Sequence, residues 1–264
     1  MEKTMKIWFG APRGGLGASF AAANIALALV RRGRRVLLVD ASPACRVQDS
    51  IFGCAESVVY DLADLCAGRA GAGDVVLPLA AYPGLSLIPG AFDPSELPYG
   101  IGIARALEPL MADYDVMICD APFVPTRRNG APAYDLICCV SDPRPISLAA
   151  AQQAGAALFA AGAQDVRLLL NRFSLLPPKK GGQASALSMV DAAGLRLLGI
   201  LPPVGEREDG RETEEYPLLV PGRRYRHEPA LFAADAIAAR LGGDEVPLLS
   251  TVREVRRTRA KLLY

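Results

Sequence analysis

The chain has 264 residues, with 29 Lys and Arg against 28 Asp and Glu and a formal net charge of +1. Hydrophobic residues make up 51%, which excludes a disordered chain, and the length suits one α/β domain or two small ones. The near-neutral balance gives no overall pull toward nucleic acid or acidic lipid.

In chain order, short apolar runs predict strands at 7–9, 35–39, 85–88, 116–119, 136–140, 166–170 and 197–201. Turn and polar residues follow most of them: Asp40, Pro89-Gly90, Asp120, Ser141-Asp142, Asn171-Arg172 and Pro202-Pro203. Helical patterns lie at 18–32, 147–161 and 184–193. The strands lack strict alternation, as expected when helices cover both faces of a parallel sheet. The expected fold is therefore α/β, a doubly wound and mostly parallel sheet with right-handed crossovers. Ligands of such sheets bind at the carboxyl ends of the strands. Residues 1–246 are expected to form this domain and 247–264 a basic tail.

The six cysteines, at 45, 54, 66, 119, 138 and 139, include no C-x-x-C pair, and His227 has no Cys neighbour. A clustered zinc site is not expected. Cys138 and Cys139 lie in an apolar run and read as small buried hydrophobes of a reducing cytosol. No signal peptide is expected, and the most membrane-like stretch, 146–163, carries Gln152 and Gln153 at its middle. The acidic stretch 206–215 reads as a solvated loop.

The most informative segment is Gly10-Ala-Pro-Arg-Gly-Gly-Leu-Gly-Ala-Ser19, between the first strand and the first helix. Glycines there let backbone N–H groups close around an anion, and the helix N-terminus adds positive potential. Ser19 stands where a P-loop hydroxyl holds Mg²⁺. The standard loop also has Gly at 12 and Lys at 18; this chain has Pro12 and Ala18. Alone, the segment leaves three readings open. They are a phosphate loop, a purely structural glycine turn, and a dinucleotide turn with Asp40 as the ribose carboxylate, whose third glycine would fall at Phe20. Asn171 also reads as a strand-end turn residue, whereas Asp120, ahead of Ala121-Pro122, is costly to bury unpaired.

Taken together, the segments resemble the MinD/ParA family of deviant P-loop ATPases. Arg13-Gly-Gly-Leu-Gly-Ala-Ser19 is similar to that family's Lys-Gly-Gly-x-Gly-Lys-Thr/Ser loop, and Val36-Leu-Leu-Val-Asp40 to its second strand. Ile51-Phe-Gly-Cys54 and Val58-Val-Tyr-Asp-Leu62 resemble the segment after switch I, and Leu87-Ile-Pro-Gly90 the third strand. Tyr114-Asp-Val-Met-Ile-Cys-Asp-Ala-Pro122 resembles the strand and Asp-x-Pro that open switch II. Leu169-Leu-Asn-Arg172 and Leu198-Gly-Ile-Leu-Pro202 resemble the late strands that hold adenine.

The resemblance implies ATP or ADP with Mg²⁺ as ligand. Gly14, Gly15 and Gly17 would cradle phosphates, with Arg13, Leu16, Ala18 and Phe20 completing the loop. Ser19 would ligate Mg²⁺ and Asp120 would hold it through water. Asn171 would hydrogen-bond adenine, with Arg172, Pro202 and Pro203 beside it. Catalytic roles would fall to Arg13, Asp40 and Asp120.

The departures are as informative. Ala18 cannot neutralise the β- and γ-phosphates as the family's lysine does. Arg13 keeps the charge of the signature lysine that reaches across a dimer, and an arginine binds phosphate bidentately. Ser42 replaces a second aspartate that positions water, and Phe123-Val124-Pro125 replaces a Gly-containing turn. Losing one preorganised charge costs about 10²–10³ in rate, so hydrolysis is expected to be weak or absent. TadZ/CpaE-like pilus-localisation proteins show similar loop decay, although they carry a receiver-like domain for which no room precedes residue 5.

The expected function is a homodimeric localisation or spatial-regulation scaffold of the cell-division or pilus-positioning type, with a protein cargo or regulator as partner. The rivals are a slow true ATPase in which Arg13 or a partner residue replaces the lysine, a scaffold without nucleotide, and DNA segregation as in the ParA branch. The last needs a basic surface, for which Arg223-Arg224-Tyr225-Arg226 and the tail are the candidates; near-neutral charge argues against nucleic acid. In the tail, Val252, Val255, Leu262 and Leu263 share one helical side, interrupted by Arg259 with Arg256 at its edge. This is a thin face for peripheral contact with the inner side of the cell membrane.

Overall fold

All seven apolar runs pair into one sheet. The computed structural model describes residues 3–43, 46–98, 100–123, 131–175, 185–204, 218–223 and 225–248. The acidic stretch 206–215, Arg224, Val124-Pro125 and the tail from residue 249 lie outside the described residues.

Strand β1 (Met5–Gly10) runs through a glycine loop into α1 (Ala18–Arg31), and β2 (Val36–Asp40) follows. Then come the short helices α2 (Gln48–Ile51), α3 (Leu62–Ala67) and α4 (Ala72–Val75), the two-residue strand β3 (Leu77–Pro78), and β4 (Leu85–Ile88). Helix α5 (Gly100–Leu107) precedes β5 (Val116–Asp120). After β6 (Leu136–Ser141) come α6 (Pro145–Ala160), β7 (Val166–Asn171), α7 (Ala186–Ala193), β8 (Arg196–Leu201) and α8 (Pro229–Leu241).

The strand order is β3-β4-β2-β5-β1-β6-β7-β8. Every described pairing is parallel except that of β3 with β4. Thus the sheet is the mostly parallel one expected, with one short antiparallel edge. Every residue of β2, β5 and β6 is buried, which requires cover on both faces and explains the missing alternation. The connection order reverses at β1, which lies between β5 and β6. The crevice at that switch point, beyond the carboxyl ends of the strands, is the usual ligand position in an open α/β sheet.

Helix α1 is buried without a break from Ala21 to Leu29 and packs against both the sheet and α8. Alanines at 21, 22, 23, 26 and 28 let these layers approach closely. Its one buried polar side chain in that run, Asn24, is satisfied twice: Oδ1 accepts from the Leu219 N–H at 2.6 Å and Nδ2 donates to the Phe20 carbonyl at 2.9 Å. Arg31 Nε donates to Asp235 of α8 at 3.0 Å. Cys119, Cys138 and Cys139 are buried, and burial pushes the Cys119 and Cys139 thiols up to about 12, so they behave as core atoms. Among the described residues no helix is long and apolar enough to cross a membrane.

Helix α8 sits on β8 at a glycine. A Cβ added to Gly199 would lie 2.4 Å from Ile237 Cγ1, inside any tolerable contact. Gly199→Ala should therefore lower stability by about 1–3 kcal/mol, the usual cost of overpacking. Ile237→Ala, which removes the struck atom, should recover part of that loss in the double variant. Urea unfolding of the four proteins of the cycle checks this, and additive losses would mean that α8 moves rather than clashes.

Candidate functional site

The loop after β1 is shaped by three glycines with different tasks. Gly10 ends the strand where a Cβ would meet Phe123 Cε1 at 2.4 Å and the Ala121 carbonyl at 2.6 Å. Gly15 and Gly17 have φ of 78° and 85°, the left-handed region that costs other residues about 1–2 kcal/mol. Gly17 is the N-cap of α1, and no side chain caps that end or places an acid in its first turn. The first N–H groups of α1 therefore carry the helix's positive end unopposed, an arrangement that receives anions. Gly14 faces open space, while Leu16 is fully buried and anchors the loop in the core.

Strand β7 supports the loop from the far side of the switch point. Asn171, only 3% exposed, donates from Nδ2 to the Leu16 carbonyl at 2.9 Å and accepts from the Arg172 N–H at 3.0 Å. Arg172 has φ 56°, left-handed for a non-glycine, and its Nη1 donates to the Gly15 carbonyl at 3.0 Å. A Cβ on Gly17 would sit 2.3 Å from Asn171 Nδ2. The pair thus clasps the loop backbone, a role that its reading as an adenine-side pair did not include. Pro202, buried, and Pro203, exposed, follow β8 at the same end.

The two acids expected at the site occupy equivalent positions but different environments. Asp40 and Asp120 are register partners at the ends of β2 and β5. Asp40 is fully buried. It accepts from the N–H groups of Val47 at 2.8 Å, Gln48 at 3.0 Å and Ser42 at 3.1 Å. Burial pushes its carboxyl up and those three bonds pull it back. Asp40 therefore organises the segment after β2, and it does not line the cleft. Asp120 does line it. Its carboxylate accepts from Gln48 Nε2 at 2.8 Å, and the Ser19 side chain beside it favours the charged form. Burial pushes Asp120 up to about 6; the Ser19 and Gln48 side chains oppose this, and neighbouring Asp40 adds to it.

These groups meet in one cleft of about 800 Å³, lined by the loop from Ala11 to Phe20, by Ser42, Val47 and Asp120–Phe123, and by Asn171, Arg172 and Pro202–Val204. Every expected site residue except Asp40 is there. Among the described lining residues the cations are Arg13 and Arg172 and the acid is Asp120. Arg13 is exposed, and its Nη2 donates to Ser147 Oγ at 2.6 Å, so it bridges the crevice to the first turn of α6. No group of three or more His, Cys, Asp or Glu side chains converges among the described residues. Phe123, at the β5 wall, packs edge-on against Trp8 at 5.3 Å between centroids, and Trp8 Nε1 donates to the Ala121 carbonyl at 2.8 Å. Sequence reasoning missed Gln48 and Ser147, which belong to no motif quoted for the family.

The raised carboxyl of Asp120 fixes a direction for stability. Below the ordinary aspartate range both folded and unfolded chains carry the proton and the group costs nothing. The cost grows as pH rises from the ordinary aspartate range to about 6 and levels off at ~3 kcal/mol by neutral pH. Asp120→Asn should therefore raise Tm at pH 7.5, by about 5 °C, and by about half as much at pH 5. Calorimetry at the two pH values checks this; a loss of stability at pH 7.5 would show that the carboxylate is compensated.

No family model matches the chain. The septum site-determining protein MinD of Synechocystis sp. is 26% identical over 246 residues, covering 90% of this chain and 89% of that protein. Among solved structures, the MinD cell division protein of Aquifex aeolicus is similar with a TM-score of 0.77 at 25% identity, covering 93% of this chain and 100% of that one. A chain of the MinC:MinD cell division protein complex of the same organism gives 0.76 at 24% identity, covering 93% and 98%. MinD of Pyrococcus horikoshii, solved in complex with Mg-ADP, gives 0.74 at 22% identity, covering 91% and 96%. With the ordered loop, strands and sheet described above, the chain is similar to MinD proteins over nine-tenths of its length and shares the MinD/ParA P-loop fold.

Proposed function

We propose that the chain is a nucleotide-gated positioning protein of the MinD type that binds ATP or ADP with Mg²⁺ and hydrolyses it weakly or not at all. One observation carries this reading: an uncapped, acid-free helix N-terminus faces a cleft that Ser19 and Asp120 line side by side. The N–H groups of Gly14, Gly15, Leu16, Gly17, Ala18, Ser19 and Phe20 are the phosphate donors. Arg172, Pro202 and Pro203 border the base end, with the clasped Asn171 behind them. The residues fit a magnesium ion: a hydroxyl and a carboxylate are hard oxygen donors, and an ion with few protein ligands completes its shell with phosphate and water. When bound, it would neutralise phosphate charge beside Ser19 and Asp120.

The same cleft argues for weak chemistry. Ala18 brings no ammonium, Asp40 is engaged with backbone N–H groups, and Arg13 rests on Ser147. Binding relies on backbone donors that remain, whereas rate relies on charges that do not; a single missing charge stabiliser lowers rate about 10²–10³-fold. Arg13 is exposed, so exchanging Ser147 for the phosphate of a second copy would link nucleotide to homodimerisation. The MinC:MinD complex of the Aquifex relative supports a protein partner as the output.

Isothermal titration with ATP, ADP and a non-hydrolysable ATP analogue, each with Mg²⁺, tests the reading. Micromolar binding of the analogue is expected, weakened at least tenfold in Asp120→Ala, with phosphate release at or below background. No binding up to millimolar ligand would make the loop a relic and the protein a constitutive scaffold. Steady phosphate release that disappears in Asp120→Ala would instead establish a true, slow ATPase.

A further inference from the structure

Gln48 opens α2 and is fully buried. Its side chain and main chain tie three elements together. Nε2 donates to Asp120 Oδ2 at 2.8 Å and to the Ser19 carbonyl at 3.1 Å, and its backbone N–H donates to Asp40. Both side-chain contacts are acceptors, so chemistry fixes which end of the carboxamide faces Asp120: only the nitrogen can. Gln48 Oε1 is then buried with no hydrogen-bond partner among the described residues, one of two such side-chain atoms. A buried acceptor without a donor is unfavourable. The amide keeps this orientation because its nitrogen serves Asp120 and Ser19, the two residues that fit a magnesium ion.

Resting on the nucleotide-binding reading above, we infer that Gln48 is a positioning residue of the metal corner. Its carboxamide nitrogen holds the Asp120 carboxylate at the cleft beside Ser19, the two groups that would hold a magnesium ion, and the unpaired carboxamide oxygen is the cost of that orientation. Gln48 thus acts, through Asp120, on the metal–nucleotide complex rather than on the nucleotide alone. It also joins that corner to the segment after β2, because the same residue's backbone closes the Asp40 turn.

The test compares ATP affinity with Mg²⁺ and in EDTA, by isothermal titration, for the full chain and two variants. Gln48→Met keeps the length and volume of the side chain and removes both polar atoms. Gln48→Asn keeps the amide but is too short to span the contact. Both should bind Mg·ATP about ten- to a hundredfold more weakly, the scale of a hydrogen bond to a charged group, and bind ATP in EDTA as the parent does. Equal losses in both conditions would make Gln48 a structural tie only, and no loss in a folded variant would remove it from the site; either overturns the inference while leaving nucleotide binding intact. A parent chain that binds ATP in neither condition overturns the nucleotide reading and the role of Gln48 with it. If Gln48→Met fails to fold, Gln48→Asn decides by the same ratio.

Discussion

Everything at the site depends on one buried amide. The glycine loop has backbone donors but no side chain to keep them in place, and a chain of glycines left to itself samples many conformations. Asn171 supplies the constraint from the end of β7, gripping the Leu16 carbonyl and closing off the volume that a Cβ on residue 17 would need. Arg172 adds a second grip one residue away, held in a left-handed conformation that directs it back to Gly15. Strand order makes this possible: β6 and β7 stand next to β1 on the side opposite β5, so residues more than 150 positions away become the loop's neighbours. The preorganised glycine loop is thus a tertiary product of the sheet.

The other half of the cleft is built on two buried carboxylates that neither the sheet nor the core neutralises. Each is placed at a strand end and satisfied by donors, but the donors differ. Backbone N–H groups converge on Asp40 and make it architecture. Side chains converge on Asp120 and leave it facing the cleft, with burial opposing its charge. Burial of a carboxylate is unfavourable, and that stress is what a bound cation would relieve. The division between the acids is therefore a division between architecture and the cleft wall, decided by three residues after β2 rather than by the strands themselves.

Much of this was legible in the sequence. The seven principal strands announce themselves because a sheet buried on both faces needs continuous apolar runs, and α1 because its small residues must pack between layers. The loop glycines, Ser19, Asp120 and the ends of β7 and β8 were readable as motifs, and all of them line one cleft. The misses have physical reasons. Two-residue β3 contains a proline and carries no periodic signal. The Ala-rich α8 has only a weak apolar stripe, and its position is set by Gly199, whose importance appears only in contact. Asp40 looks like a site acid in sequence because nothing there indicates that three N–H groups will converge on it. Gln48 was invisible because a polar residue between Val47 and Asp49 reads as exposed loop; its burial results from the closing of the Asp40 turn.

The packing around Trp8 has an optical consequence. It is the single tryptophan of the chain; it is 3% exposed, bonded to the Ala121 carbonyl and in edge contact with Phe123. Both partners line the cleft, on the wall that continues from β5. Indole emission depends on its hydrogen-bond acceptor and on the polarity of its surroundings, and no other indole dilutes the signal. The molecule carries its own fluorophore one layer beneath its candidate binding wall, so a rearrangement of that wall is written directly into the intrinsic fluorescence of the unlabelled protein.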